Sequence, residues 1–107
     1  MDENTRILEQ LMDVLRQRRD ADPDSSYVAS LYRDGIPAIT AKIAEEAAET
    51  VEAAEGDPEH LVHEVADLWF HSLILLALRD LDARDVLKEL QRRFGTSGLE
   101  EKANRES

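Results

Sequence analysis

An all-α fold, a small bundle of four to five helices built on a long antiparallel helical hairpin, is predicted by three observations. Aromatic residues make up only 5% of the chain while hydrophobic residues reach 42%. That excess of Ala and Leu over aromatic types suits helices better than sheets. Apolar residues recur at spacings of three and four, the helical period. Gly and Pro number only 4 and 3, so there are few places to turn. At 107 residues the chain has room for one domain with a modest core.

Leu8, Leu11, Met12 and Leu15 predict a first helix over residues 5–19, with Asn4 or Thr5 as its cap. The run Asp20-Ala21-Asp22-Pro23-Asp24 breaks it. Ser25 or Ser26 is placed to cap a short second helix carrying Val28, Leu31 and Tyr32, which Gly35 ends. Pro37 suits the first turn of a long helix that runs to about Glu55 and stops at Gly56. Asp57 and Pro58 read as the cap and first residue of the next, running to about Arg79. A last helix begins at Asp82 to Asp85, and Gly95 stops it after Arg92 and Arg93, which suit a helix C-terminus. Residues 1–95 are expected to form the domain and 96–107, polar and without periodicity, a frayed tail.

The formal net charge of -11 argues against a nucleic-acid partner, because phosphates need Lys and Arg to neutralise them. An acidic protein still binds a polyphosphate when a divalent cation bridges the two. The absence of cysteine excludes disulfides, thiolate metal sites and cysteine nucleophiles. No basic segment precedes an apolar run at the N-terminus, and the most apolar stretch, Leu73 to Leu78, is short of a bilayer span. A soluble, cytoplasmic protein with no membrane partner is expected.

From Ile43 to Asp67 there are nine acidic residues and no Lys or Arg. Such a run is often a solvated face, but the hairpin changes its meaning. Glu49 lies seven residues before Gly56 and Glu64 eight after; Glu46 lies ten before and Asp67 eleven after. In an antiparallel pair joined by a short turn, each couple sits at nearly the same height. His60, Glu64, Asp67 and His71 form one stripe on the second helix. Four carboxylates held together repel unless a proton or cation intervenes. All-oxygen ligands point to a hard ion, Mg²⁺ or Mn²⁺. A di-iron bundle is disfavoured, since the chain has no Glu-x-x-His pair. His60 and His63 read as surface residues, and His71 as a buried, satisfied histidine or a neighbour of Lys42.

The segments Ser26-Tyr27-Val28 with Leu31 and Gly35, Lys42-Ile43-Ala44-Glu45-Glu46-Ala47-x-Glu49, and Glu64-Val65-Ala66-Asp67-Leu68 with His71 together resemble the phosphoribosyl-ATP pyrophosphohydrolase family. The family belongs to the all-α NTP pyrophosphatases, and the resemblance covers roughly residues 5–95. Ala44 stands where that family usually has Gly, and Trp69-Phe70 where Leu-Tyr is common. The resemblance implies hydrolysis of phosphoribosyl-ATP to phosphoribosyl-AMP and pyrophosphate, the second step of histidine biosynthesis. It implies Glu46, Glu49, Glu64 and Asp67 as ligands of Mg²⁺ on the triphosphate, and Glu45 as the residue that orients or deprotonates water. Lys42 is expected to reach phosphate, or else to pair with Glu45 or Glu46. Ser26 and Arg33 are candidate substrate contacts.

One alternative keeps the chemistry and changes the substrate to dCTP, dUTP or a damaged nucleotide, as in a house-cleaning pyrophosphatase. Another is a non-catalytic acidic bundle that binds a partner through Trp69. The segment from Val65 to Leu78 is apolar nearly all round in its second half and needs cover on all sides. A homodimer built on the two long helices is therefore expected.

Overall fold

The computed structural model describes residues 6–94, and among these every regular element is helical. The predicted caps Asn4 and Thr5, the stop at Gly95 and the tail 96–107 lie outside the described residues. Helix α1 spans Ile7–Gln17 and tightens into a 3₁₀ turn, Arg18–Asp20. Then come α2 (Tyr27–Asp34), α3 (Ile36–Ala53), α4 (Pro58–Leu78) and α5 (Ala83–Phe94).

Local chemistry sets the ends. Ser26 is extended and its Oγ accepts the Ala29 N–H at 3.2 Å, which starts α2. Gly35 joins α2 to α3 at φ +82°, a conformation that L side chains rarely adopt, so the chain turns there without a loop. Asp57 caps α4 ahead of Pro58. At α5 the Asp82 carboxylate accepts the Arg84 N–H at 2.8 Å while the Asp82 N–H donates to Asp85 at 2.9 Å. That reciprocal pair satisfies two amides that the first turn would otherwise leave open.

Helices α3 and α4 fold back on each other along their length. Met12, Leu15, Ile39 and Ile74 are fully buried where α1 and α2 close over this hairpin. Leu31, Leu73 and Ala77 complete that core, with Ala83 of α5 against it. Tyr32 donates its hydroxyl to the Leu15 carbonyl at 2.8 Å, and the Arg19 guanidinium lies 5.7 Å over its ring. Arg16 pairs with Asp82, and Arg19 with Asp80 at 2.8 Å, so the end of α1 is tied to the turn between α4 and α5.

At 21 residues and a mean hydropathy of 1.5 over its most apolar window, α4 is long and apolar enough to cross a membrane. Counting only the unbroken run from Leu73 to Leu78 understates its apolarity. Here it serves as the central helix of the bundle.

Candidate metal centre

The carboxylates of interest sit on the facing sides of α3 and α4, about two turns from the hairpin bend. On α4, ligand atoms of His63, Glu64 and Asp67 lie within 4.8 Å of one another. Glu64 is buried, 7% exposed, while Asp67 is half-buried. His63 Nε2 stands 3.3 Å from Asp67, and His60 Nε2 3.6 Å from Glu64, both one helical turn apart. Across the hairpin Glu49 lies beside Glu64. Hydrogen bonding with Glu64, then burial and the negative charges of Glu64, Glu45 and Glu46, hold the Glu49 carboxyl above the ordinary carboxylate range. Glu49 and Glu64, nearly equidistant from Gly56 along the chain, lie side by side across the antiparallel turn.

Glu46 faces α4 near Asp67, where its side chain engages His71. It is 6% exposed, and His71 Nδ1 lies 2.7 Å from its Oε1 and 2.8 Å from its Oε2. Side chains lean toward the N-terminus of their own helix. Glu46 therefore leans away from the bend and meets α4 one turn farther along, at His71. The His71 Nε2 in turn lies 2.7 Å from the Tyr27 hydroxyl. Burial holds the Tyr27 phenol above its usual range; Lys42 pulls it down, and Glu46, Glu45 and Asp67 push it up. Counting along the chain puts His71 on the carboxylate stripe, but it does not reveal Glu46 as its partner.

The remaining predicted residues surround this core. Glu45 is exposed and pairs with Lys42 at 3.4 Å. The Glu45 charge, followed by Tyr27, raises the Lys42 ammonium above its usual range. Ser26 caps α2 next to Tyr27. Arg33, in the last turn of α2, is exposed and bonded to Asp34 at 3.0 Å.

Within this group Glu64 Oε2 is buried and has no hydrogen-bond partner. A buried carboxylate oxygen left unpaired is costly, and two further acidic side chains beside it make the cost larger. The donor set is mostly carboxylate oxygen, which suits a hard divalent cation, with His63 as the added nitrogen. The residues fit such an ion.

Comparison with known proteins follows the same lines. The family described as "Phosphoribosyl-ATP pyrophosphohydrolase" matches residues 8–94. A Methylococcus capsulatus protein named phosphoribosyl-ATP pyrophosphatase is 56% identical over 100 residues, covering 92% of this chain and 95% of that protein. Proteins of the same name from Chromobacterium violaceum and Azoarcus sp. are 55% and 52% identical. Their matches cover 92% and 94% of this chain, and 93% and 95% of their own lengths.

Proposed function

Because the chain belongs to the phosphoribosyl-ATP pyrophosphohydrolase family, we propose that it hydrolyses phosphoribosyl-ATP to phosphoribosyl-AMP and pyrophosphate, in the second step of histidine biosynthesis. The observation that carries the reading to this molecule is the buried, unpartnered Glu64 oxygen, with Asp67 and His63 on its own helix and Glu49 across the hairpin. Water forms a bond to the α-phosphorus and the bond from that phosphorus to the bridging oxygen of pyrophosphate breaks.

Glu49, Glu64 and Asp67, with Glu46 one turn away, are the residues that would hold Mg²⁺ or Mn²⁺. When bound, such an ion offsets the charge of the triphosphate and makes water a better nucleophile. The chain's own groups do the rest. Glu45 orients the attacking water and accepts its proton. Lys42 reaches the phosphates, since its exposed pairing with Glu45 is worth little and exchanges readily. Ser26 accepts the Ala29 N–H through Oγ and still has its hydroxyl hydrogen to donate to an anionic oxygen. Arg33, about two turns along α2 from Ser26, contacts the outer ribose or its phosphate.

The protein acts as a cytoplasmic homodimer in this reading. Val62 and Trp69 on the outer side of α4 are 68% and 60% exposed. An apolar groove between α4 and α5, lined by Trp69, Leu73, Leu76, Val86 and Leu90, continues that surface. Apolar area of this extent calls for cover. Sedimentation at micromolar concentration is expected to give twice the chain mass, and a stable monomer would count against it.

Pyrophosphate release from phosphoribosyl-ATP, beside a panel of NTPs and dNTPs, with Mg²⁺ and with EDTA, tests the activity. Turnover of phosphoribosyl-ATP that EDTA abolishes is the expected result. Turnover of a panel nucleotide in its place would move the protein to the house-cleaning reading, and no turnover of any substrate would sink both.

A further inference from the structure

Glu46 turns both carboxylate oxygens toward His71 Nδ1, at 2.7 and 2.8 Å. The same nitrogen lies 3.1 Å from the Asp67 carbonyl oxygen. A carboxylate and a carbonyl only accept, so Nδ1 carries a hydrogen. In the neutral ring Nε2 then has only a lone pair, and the Tyr27 hydroxyl, 2.7 Å away, is the donor. The result is a directed chain, Tyr27 O–H to His71 to Glu46, that runs from α2 through α4 to α3.

The surroundings leave His71 little freedom. It is 6% exposed, and Tyr27 and Phe70 both meet its ring edge to face, with centroids 5.8 and 5.4 Å away. Tyr27 is itself about half exposed, on the same helix as Ser26 and electrostatically coupled to Lys42. One end of the chain therefore lies where a substrate would approach, and the other on a carboxylate beside the acidic group.

We propose that Tyr27 and His71 are positioning residues for the hydrolysis: Tyr27 holds the His71 ring in place through Nε2, and His71 fixes the orientation of the Glu46 carboxylate. The inference rests on the reading of Glu46 as a cation ligand. Outer groups of this kind orient a ligating side chain and commonly change metal affinity by roughly 10- to 100-fold when removed.

Two readouts test it apart from turnover. In the metal-free protein, ¹⁵N NMR of the His71 ring is expected to find hydrogen on Nδ1 and none on Nε2, and in Tyr27→Phe the Nε2 resonance is expected to shift as its hydrogen bond is lost. Mn²⁺ binding, followed by EPR, is expected to weaken about tenfold or more in Tyr27→Phe and in His71→Leu. His71→Asn supplies an amide N–H in place of Nδ1–H and retains most of the affinity, and adding Tyr27→Phe to it costs nothing further. If His71→Leu does not fold, Tyr27→Phe and His71→Asn carry the test. Hydrogen on Nε2 in the wild type, or Mn²⁺ affinity unchanged in Tyr27→Phe, overturns the inference. Wild-type protein that binds no Mn²⁺ would instead defeat the reading of the acidic group, and the inference with it.

Discussion

Glu64 works against the fold and for the site. Its Oε2 is buried without a partner, and Glu49 and Asp67 stand beside it. Glu64→Gln removes a like charge from that group while keeping the shape. Without metal, the variant is expected to be more stable by about 1 kcal/mol, which for a domain of this size raises Tm by roughly 4–8 °C. Metal-dependent turnover is expected to fall by two orders of magnitude or more if Glu64 holds the cation as proposed. A thermal melt and a turnover assay on the same preparation check the opposite signs. A lower Tm without metal would mean that Glu64 is satisfied in some other way. Glu49 and Glu64 are legible as neighbours from the sequence, since counting from Gly56 fixes their heights. The Glu46–His71 pair is not, because the count follows the backbone and ignores the lean of each side chain.

Caps decide where the helices begin, and most of them are readable residue by residue. Ser26, Asp57 and Asp82 each sit where a short polar side chain precedes a periodic run. Pro37 lies in the first turn of α3, as its fixed backbone angle favours, and the helix ends at Ala53, two residues before Glu55. Ser26→Ala is expected to cost about 1 kcal/mol through the lost cap, and Ser26→Asp to restore it. If Ser26 also meets phosphate, Ser26→Asp will remain poorly active despite its stability, from charge repulsion. Urea melts and KM for the nucleotide separate the two roles.

The last helix contributes an acid-sensitive element. The Arg84 N–H, and then Arg16, hold the Asp82 carboxyl below its ordinary range against the effect of burial. Arg92, ahead of Arg93, brings Glu89 down from 4.5 to about 2. A depressed folded-state pKa stabilises above the unfolded value and loses that contribution as pH falls through the folded one. For Glu89 the window runs from about 4.5 to about 2; for Asp82 it opens just below 4. Tm is therefore expected to decline through this range, and more gently in Asp82→Asn, which keeps the cap and loses the ion pair with Arg16. An identical acid profile for the two proteins would assign the loss elsewhere.

At the scale of the whole molecule, a net charge of -11 works against compaction and makes cations a source of stability. Mg²⁺ that binds only the folded chain at a hundred times its Kd contributes about 2.7 kcal/mol. A melt in Mg²⁺ against one in EDTA is expected to show that rise, well beyond the effect of matched NaCl. Equal melts would argue that the acidic group is a solvated face. The all-helical bundle was predictable because composition, periodicity and breakers agree. The tie between Arg16, Arg19 and the α4–α5 turn was not, because exposed arginines carry no periodic signal. Asp80, at φ +60° in that turn, gave no glycine to announce it.

Glu46, Glu49, Glu64, Asp67 and His71 all fall within one hairpin, whereas Arg16 and Asp82 are joined across 66 positions of chain. Closing the short loop loses little entropy and closing the long one loses more. The hairpin is thus suited to form in the folding nucleus, with α1 and α5 docking after the rate-limiting step. Weakening the Arg16–Asp82 tie then acts chiefly on how fast the native state opens and leaves the refolding rate nearly unchanged. The five residues named above, held within the hairpin, are then expected to stay assembled when α1 and α5 detach.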